Sequence, residues 1–502
     1  MSGKTPRRVA IVGVGEIVDH PGTVTQGLDP LGLAQAAVAR AVENAAARID
    51  VLALCDSIDL MHQVSWRYEN TAAQFLARSG IAPRRAVYNV GGGERPVRAA
   101  HEAALRIAAG ESEVAVVCGA EALSTSQKAR RAALQLPWPP RAKAMENPWR
   151  IEERLHALSI AHGLAQPTHV YPLYENACTA AWGQSPAEGS AESADLWARY
   201  SNVAASNPYA WHGEAVSSRA INTASADNRP IAYPYTKLMV ANPIVNMGAA
   251  LLLMSEDAAQ AAGIAADRMI YIAGGAAAVE TDDYLQRDTF THSAAQEAVL
   301  KTVAAMHAAE HGFEGLEIYS CFPCVPKMAR RTLGIAEDAE LTVTGGLSFF
   351  GGPMSNYMTH ALCAMVRRLR EQRGVGLLYG QGDFVTKHHA LVLSTLPPQQ
   401  DLDPDYRVEM VAAQLRGPVP PTRVDAVGDA EIETFTVIFD RSGKPERGVV
   451  VARTADGGRT LARVPPADGA ALARLMNQNR SPIAAAGWLA SAADGLLEWR
   501  FL

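Results

Sequence analysis

The chain has no run of about 18 apolar residues, the length a helix needs to cross a bilayer. It begins MSGKTPRRVAIVGVGE, a short basic tail leading straight into an apolar stretch without a signal-type core. A cytoplasmic, unanchored protein is therefore expected. Lysine and arginine form no dense patch and the net charge is −6, which disfavours nucleic acid or an anionic membrane as partner. The one basic run, Arg367-Arg368-Leu369-Arg370, ends a predicted helix, where positive charge meets the negative end of the helix dipole. Cysteine is scarce. Cys55, Cys118, Cys178, Cys321, Cys324 and Cys363 are scattered, several in apolar runs, which fits buried thiols in a reducing compartment and not a disulfide framework.

What is present is alternation of strand and helix. At 502 residues, 48% hydrophobic and 20% charged, the chain suits an α/β enzyme of two to three domains with a large core. The most informative stretch is 85–124, RAVYNVGGGERPVRAAHEAALRIAAGESEVAVVCGAEALS. It reads as a strand at 86–90, a glycine turn at Gly91-Gly92-Gly93, an amphipathic helix at 96–109 and a buried strand at 114–117. Such a turn lets a backbone or ligand come close and aims unpaired helix N–H groups at it. Upstream, a strand at 9–14, a helix at 31–46, a strand at 57–61 and a helix at 70–79 are predicted. Gly13-Val14-Gly15 follows the first strand, but the third glycine and the acidic residue of a dinucleotide site are not in place.

Between 125 and 235 the alternation breaks down into a segment rich in proline and tryptophan, of the kind that covers a site or forms an interface. Asn246-Met247-Gly248-Ala249-Ala250 and an apolar strand follow, and then the plan repeats. Strands are predicted at 269–274, 316–320, 341–344, 375–379 and 390–394, and helices at 293–310, 325–333 and 356–370, with a glycine turn at Gly345-Gly346. A Pro- and Asp-rich linker at 397–405 leads to a different style of sequence. There, 406–415, 430–440, 446–453, 460–464 and 497–501 alternate like half-exposed strands, 439–444 signals a hairpin and 470–476 a helix. A small β-barrel of oligonucleotide-binding type is the nearest architecture, without the stacking aromatics that a nucleic-acid surface needs.

The strand–Gly91-Gly92-Gly93–helix unit, the Gly119-Ala120-Glu121 turn and the Asn246–Ala250 segment resemble a thiolase. Within that superfamily, YSCFP at 319–323 and TVTGGLSFFGGP at 342–353 are similar to the thiolase-like protein type 1 group, relatives of sterol-carrier-type thiolases with an added C-terminal domain. The resemblance implies an α/β fold of two β-α-β halves layered α/β/α/β/α, plus the small barrel. It divides the chain into an N-terminal half (1–124 and 233–263), a covering domain (125–232), a C-terminal half (264–396), the linker (397–405) and the added domain (406–502). It also implies coenzyme A or an acyl-CoA as ligand, not a tightly held cofactor, and a homodimer or a monomer, with a protein partner through the C-terminal domain as a further option.

The thiolase machinery itself is replaced. The nucleophilic cysteine falls at or beside Gly93, the Asn or His of its second motif at Tyr319, and the Gly-His-Pro histidine at Gly352 in Gly351-Gly352-Pro353. No cysteine stands in the segment 378–382. Ordinary thiolysis by the usual route is thereby disfavoured. Cys321, between a strand end and a helix start, could have its thiol activated by helix N–H groups, with His388 of the pair His388-His389 as base. A buried structural thiol is the competing reading. Cys321 and Cys324 have CxxC spacing, but one such pair without further ligands is weak evidence for metal or redox use. Tyr319 and Tyr357 are candidates for acid–base work, as in thiolase relatives that cleave steroid side chains as aldolases. Gly92, Gly93, Asn246, Gly248 and Gly352 are the expected ligand-binding positions, and Arg130, Arg131, Lys143 and Arg150 could meet coenzyme A phosphates. Three functions follow: acyl transfer or C–C chemistry on a CoA thioester without the usual nucleophile, non-catalytic binding of CoA or a partner, and retro-aldol cleavage of a CoA-linked steroid or branched acyl chain.

Overall fold

The structure is a computed structural model that describes residues 7–306 and 312–502. The first half runs β1 (Val9–Val18), α1 (Pro30–Ala45), β2 (Ser57–Leu60), α2 (Thr71–Ser79), β3 (Arg85–Tyr88), α3 (Arg95–Ala108) and β4 (Val114–Ala122). The covering segment follows with α4 (Leu123–Arg131), α5 (Ala157–Ala161), α6 (Pro167–Ala181), α7 (Pro186–Ser206), α8 (Ser218–Asn222), β5 (Pro230–Ala232) and β6 (Tyr235–Thr236). Then β7 (Asn246–Ser255) returns to the first half and α9 (Glu256–Ala261) leaves it. The second half comprises β8 (Ile270–Val279), α10 (Ala294–Met306), β9 (Gly315–Ile318), α11 (Cys324–Thr332), α12 (Tyr357–Glu371), β10 (Val375–Gly382) and β11 (Lys387–Ser394). The last turn of the helix predicted at 293–310, like the basic tail at 1–6, lies outside the described residues.

The strands form one sheet in the order β3-β2-β4-β7-β1-β8-β11-β10-β9. It is two copies of one plan joined at β1 and β8, where only Ala10–Tyr271 and Ile11–Ile270 pair. On each side of the joint the next strand out, β7 or β11, runs antiparallel to both of its neighbours. Helices α3 and α12 each touch strands of both halves, so they form the central layer, while α1 lies on the outer face of the first half and α10 on that of the second. Gly13 and Gly15 make the outer packing possible: a Cβ on either would overlap a backbone carbonyl of α1, at Ala41 or Ala37. The Gly-x-Gly signal thus serves helix–strand contact.

One predicted strand is absent. Residues 341–344 form no ladder beyond the bond from Ile318 N–H to the Leu341 carbonyl at 2.9 Å. The reason is Glu317, whose buried carboxylate takes the Val343 and Thr344 amides at 2.9 and 3.1 Å, amides that a neighbouring strand would otherwise use. The second half therefore has no counterpart of β3.

The C-terminal region contains α13 (Glu409–Leu415), β12 (Gly428–Phe439), β13 (Pro445–Thr454), β14 (Arg459–Val464), α14 (Gly469–Leu475), β15 (Ala486–Ser491) and β16 (Leu497–Phe501). Five strands close a barrel in the order β12-β13-β14-β16-β15, and β5 and β6 of the covering segment extend its sheet from β12. The strand expected at 406–415 is instead the helix α13: Glu409, Met410, Ala412, Ala413, Gln414 and Leu415 are strong helix formers, and the helix packs on α10. The barrel is tied down by polar anchors. Asn176 of α6 donates to the Phe435 carbonyl at 2.8 Å, Thr434 to the Leu173 carbonyl at 2.6 Å, and buried Arg459 to the Leu285 carbonyl at 2.7 Å. The covering helices are held to α11 by Lys327, fully buried, which donates to Glu175 at 2.7 Å and Ser193 at 3.1 Å. No helix among the described residues is long and apolar enough to cross a membrane.

Candidate functional site

The site is built where β2, β3, β9 and β10 end, beside the start of α3. A glycine at 93 is required because a Cβ there would overlap both the Tyr319 hydroxyl and the Gln381 carbonyl, and would stand 2.5 Å from Tyr319 Cζ. The phenol of Tyr319 fills the space into which a residue-93 side chain would project. The carboxyl of Glu94 occupies the neighbouring space: a Cβ on Gly92 would lie 2.6 Å from its Oε2, and one on Gly382 would overlap that atom. Glu94 pairs with Arg95 at 3.1 Å, while its Oε2 has no hydrogen-bond partner among the described residues.

Around this pair lie Gln381, Tyr171 and Cys321. Tyr171 reaches in from α6 and donates to Gln381 Oε1 at 3.0 Å, and Cys321 Sγ lies 3.7 Å from the same oxygen. Burial governs the titration of the whole group. It pushes the Cys321 thiol up to about 12 and the Tyr319 and Tyr171 phenols well above their ordinary range, and it raises the Glu94 carboxyl despite the opposing charge of Arg95. A thiol so placed is a poor nucleophile.

Of the residues singled out in the sequence, Tyr319 and Tyr357 come together, edge to face with ring centres 5.9 Å apart. Tyr357 is committed elsewhere, since its hydroxyl donates to Glu317 Oε1 at 2.6 Å and lies 2.6 Å from Thr344 Oγ1. Cys321 and His388 form no pair. His388 Nδ1 is 2.6 Å from the Tyr379 hydroxyl and Nε2 is 3.2 Å from Ser293 Oγ, and burial lowers its pKa to about 4. The β10–β11 hairpin turns the His388 ring toward α10, which is why it faces Ser293 and not Cys321. Asn246 is a clasp, donating to the Asp19 carbonyl at 3.0 Å and Thr125 Oγ1 at 2.9 Å and accepting from Thr125 N–H at 3.0 Å. Gly248 serves packing, since a Cβ would stand 2.8 Å from the Leu33 carbonyl of α1. Gly352 is near the site and donates to the Asn242 carbonyl at 2.8 Å. Cys324 bonds weakly to the Tyr171 carbonyl at 3.8 Å, and no group of residues suited to hold a metal ion occurs among the described residues.

Sequence reading missed Glu94, Gln381, Tyr171, His62 and Ser355. A signal for Glu94 existed: a carboxylate directly after three glycines at a helix start. Tyr171 and Gln381 had none, because only the folded covering segment brings α6 against β10. The rim of the site is apolar, with Val90, Ile244 and Met354 exposed beside the Gly91 turn and the loop 351–356. Met354 adopts φ 44°, a strained value for an unbranched non-glycine residue, directly before Ser355. Arg130, Arg131, Lys143 and Arg150 are all exposed, and Arg150 pairs with Glu153 at 3.2 Å.

Residues 410–491 match the family model for the thiolase-like protein type 1 additional C-terminal domain. Among solved structures the chain is similar to a monomeric SCP2-thiolase-like protein type 1 from Mycobacterium smegmatis, with 29% identity, 99% of each chain covered and a TM-score of 0.83. It is also similar in fold to an Ltp2-ChsH2(DUF35) aldolase (18% identity, 78% of this chain and 98% of that one, TM-score 0.57). A human mitochondrial 3-ketoacyl-CoA thiolase is likewise similar in fold (12% identity, 78% and 99%, TM-score 0.54). No curated protein matches the sequence. The chain has the thiolase fold and carries, at residues 410–491, the additional C-terminal domain of thiolase-like proteins of type 1.

Proposed function

We propose that the protein binds a CoA thioester and performs acid–base C–C bond chemistry on its acyl chain without forming an acyl-enzyme. The observation that carries this reading is the Tyr319 phenol standing in the space of the usual nucleophile, with the Glu94 carboxyl beside the same glycine turn. For a 3-hydroxyacyl thioester, a base takes the hydroxyl proton and the Cα–Cβ bond breaks. The electron pair moves to the thioester as an enolate, and an acid returns a proton to Cα, leaving a carbonyl compound and a shorter acyl-CoA. Tyr319, raised well above the ordinary phenol range, stays protonated and suits the acid. Glu94, raised by burial above the ordinary carboxyl range, suits the proton acceptor. A protein of similar fold is named an aldolase, although fold by itself assigns no reaction.

A cytoplasmic monomer accords with the composition and with the description of the M. smegmatis relative as monomeric. Exposed arginines of the covering segment are the groups that would meet the nucleotide phosphates of coenzyme A. The non-catalytic alternative draws on burial, because Tyr319 is 7% exposed and Glu94 4%. The test is incubation with a panel of 3-hydroxyacyl-CoAs, reading shortened acyl-CoA by mass spectrometry. Turnover that falls by about 100-fold or more in Tyr319→Phe with binding retained supports the aldol-type reading. Saturable binding without turnover of any substrate replaces it with the binding-protein reading.

A further inference from the structure

His62 and Ser355 lie outside the Tyr319–Glu94 pair yet border the same glycine turn. His62 follows the end of β2 and Ser355 precedes α12. They meet above Gly91: a Cβ built on that residue would lie 3.6 Å from His62 Nδ1 and 3.6 Å from Ser355 Oγ. Both side chains are deeply buried, His62 at 4% and Ser355 at 8% exposure, while the glycine turn beside them is partly open to solvent. The His62 ring packs on Tyr88 with centres 5.5 Å apart and presents Nδ1 to the turn; the buried Nε2, which has no hydrogen-bond partner among the described residues, is the ring's other nitrogen. Ser355 Oγ accepts from Gly92 N–H at 3.1 Å, which leaves its own proton to donate. An imidazole that presents Nδ1 and a serine hydroxyl with a proton to donate, both beside a partly open glycine turn, describe a place for a polar ligand atom.

We propose that His62 and Ser355 form a polar clamp that holds the thioester carbonyl oxygen of an acyl-CoA above the Gly91 turn. The inference rests on the CoA-thioester reading of the site and adds which residues distinguish a thioester from free coenzyme A. Neutral imidazole N–H and serine O–H are both donors, and a carbonyl that gains enolate character in the reaction draws on donors most strongly. Val90 and Met354, exposed on either side of the turn, offer apolar surface beside the clamp. Gly91 supplies an unusual control. Its φ lies outside the left-handed region and a Cβ makes only ordinary contacts there, whereas Gly92 and Gly93 have no such room.

The experiment compares binding of acetyl-CoA and free coenzyme A to the full chain by titration calorimetry, alongside melting temperature. Wild type is expected to prefer acetyl-CoA. In His62→Phe and Ser355→Ala that preference falls by roughly tenfold, the effect of one good hydrogen bond, while coenzyme A binding is unchanged. Gly91→Ala places a methyl at the clamped position and gives the same loss without lowering the melting temperature. A preference that survives Gly91→Ala and His62→Phe overturns the clamp alone. Failure of wild type to bind either ligand overturns the clamp together with the CoA-thioester reading.

Discussion

At the scale of the residue, position 93 decides the chemistry. Restoring a cysteine there does not restore a thiolase, because its Cβ meets the Tyr319 ring and the Gln381 backbone. Gly93→Cys is expected to cost about 1–3 kcal/mol by overpacking, read as a lowered denaturant midpoint, and to gain no thiolysis. Adding Tyr319→Ala recovers part of that stability, since only one of the two obstructing groups is a side chain, and the non-additivity measures their contact. The glycine itself was legible in the sequence by counting from Gly119-Ala120-Glu121, and so was the replacement at Tyr319. That the two replacements fill one another's space was not. Sequence spacing places each beyond its own strand end, but their separation of 226 residues is bridged only by the meeting of the two halves of the fold. The Cys321–His388 pair failed for the same reason in reverse: β10 stands between the strand end that carries Cys321 and β11, and the His388 ring turns to Tyr379 and Ser293.

At the scale of the element, buried carboxylates shape the loops around the site. Glu317 holds 342–344 out of the sheet, and Glu121 at the end of β4 accepts from Val64 and Ser65 N–H at 2.8 and 3.0 Å. Burial pushes each from an ordinary 4.5 up to about 7, against the hydrogen bonds that favour the charged form. A folded pKa above the unfolded one means that the folded state holds the proton more tightly. The stabilising contribution is therefore complete below 4.5 and is lost as pH rises through about 7. The loss amounts to roughly 3 kcal/mol for each group. Glu317→Gln, which keeps a neutral side chain there, is expected to flatten the fall in melting temperature between pH 4.5 and 7 relative to wild type. An unchanged pH profile would show that Glu317 is ionised in the folded state throughout. The missing strand at 341–344 was illegible because TVT is a good strand sequence; a single buried glutamate outweighs local preference.

At the scale of the whole molecule, the barrel is bound into the thiolase core and does not hang from the linker. Its sheet includes β5 and β6 from the covering segment, and Arg459 is fully buried against Glu433 at Nε–Oε2 2.8 Å while donating to carbonyls of the second half. Removing one partner leaves an uncompensated buried charge, so Glu433→Gln is expected to cost about 3 kcal/mol and to lower the melting of barrel and core together. Loss confined to a separate barrel transition would contradict the joined arrangement. Most of this architecture was readable from alternation and glycine turns. In the C-terminal region the exceptions are β15, too mixed in pattern to stand out, and α13, whose residues satisfy both helical and alternating patterns. The central claim is that this thiolase fold works without an acyl-enzyme. Intact-protein mass spectrometry after incubation with a panel of acyl-CoAs tests it most directly. The expected result is an unchanged protein mass with every acyl-CoA; an acyl increment mapping to Cys321 would contradict the account.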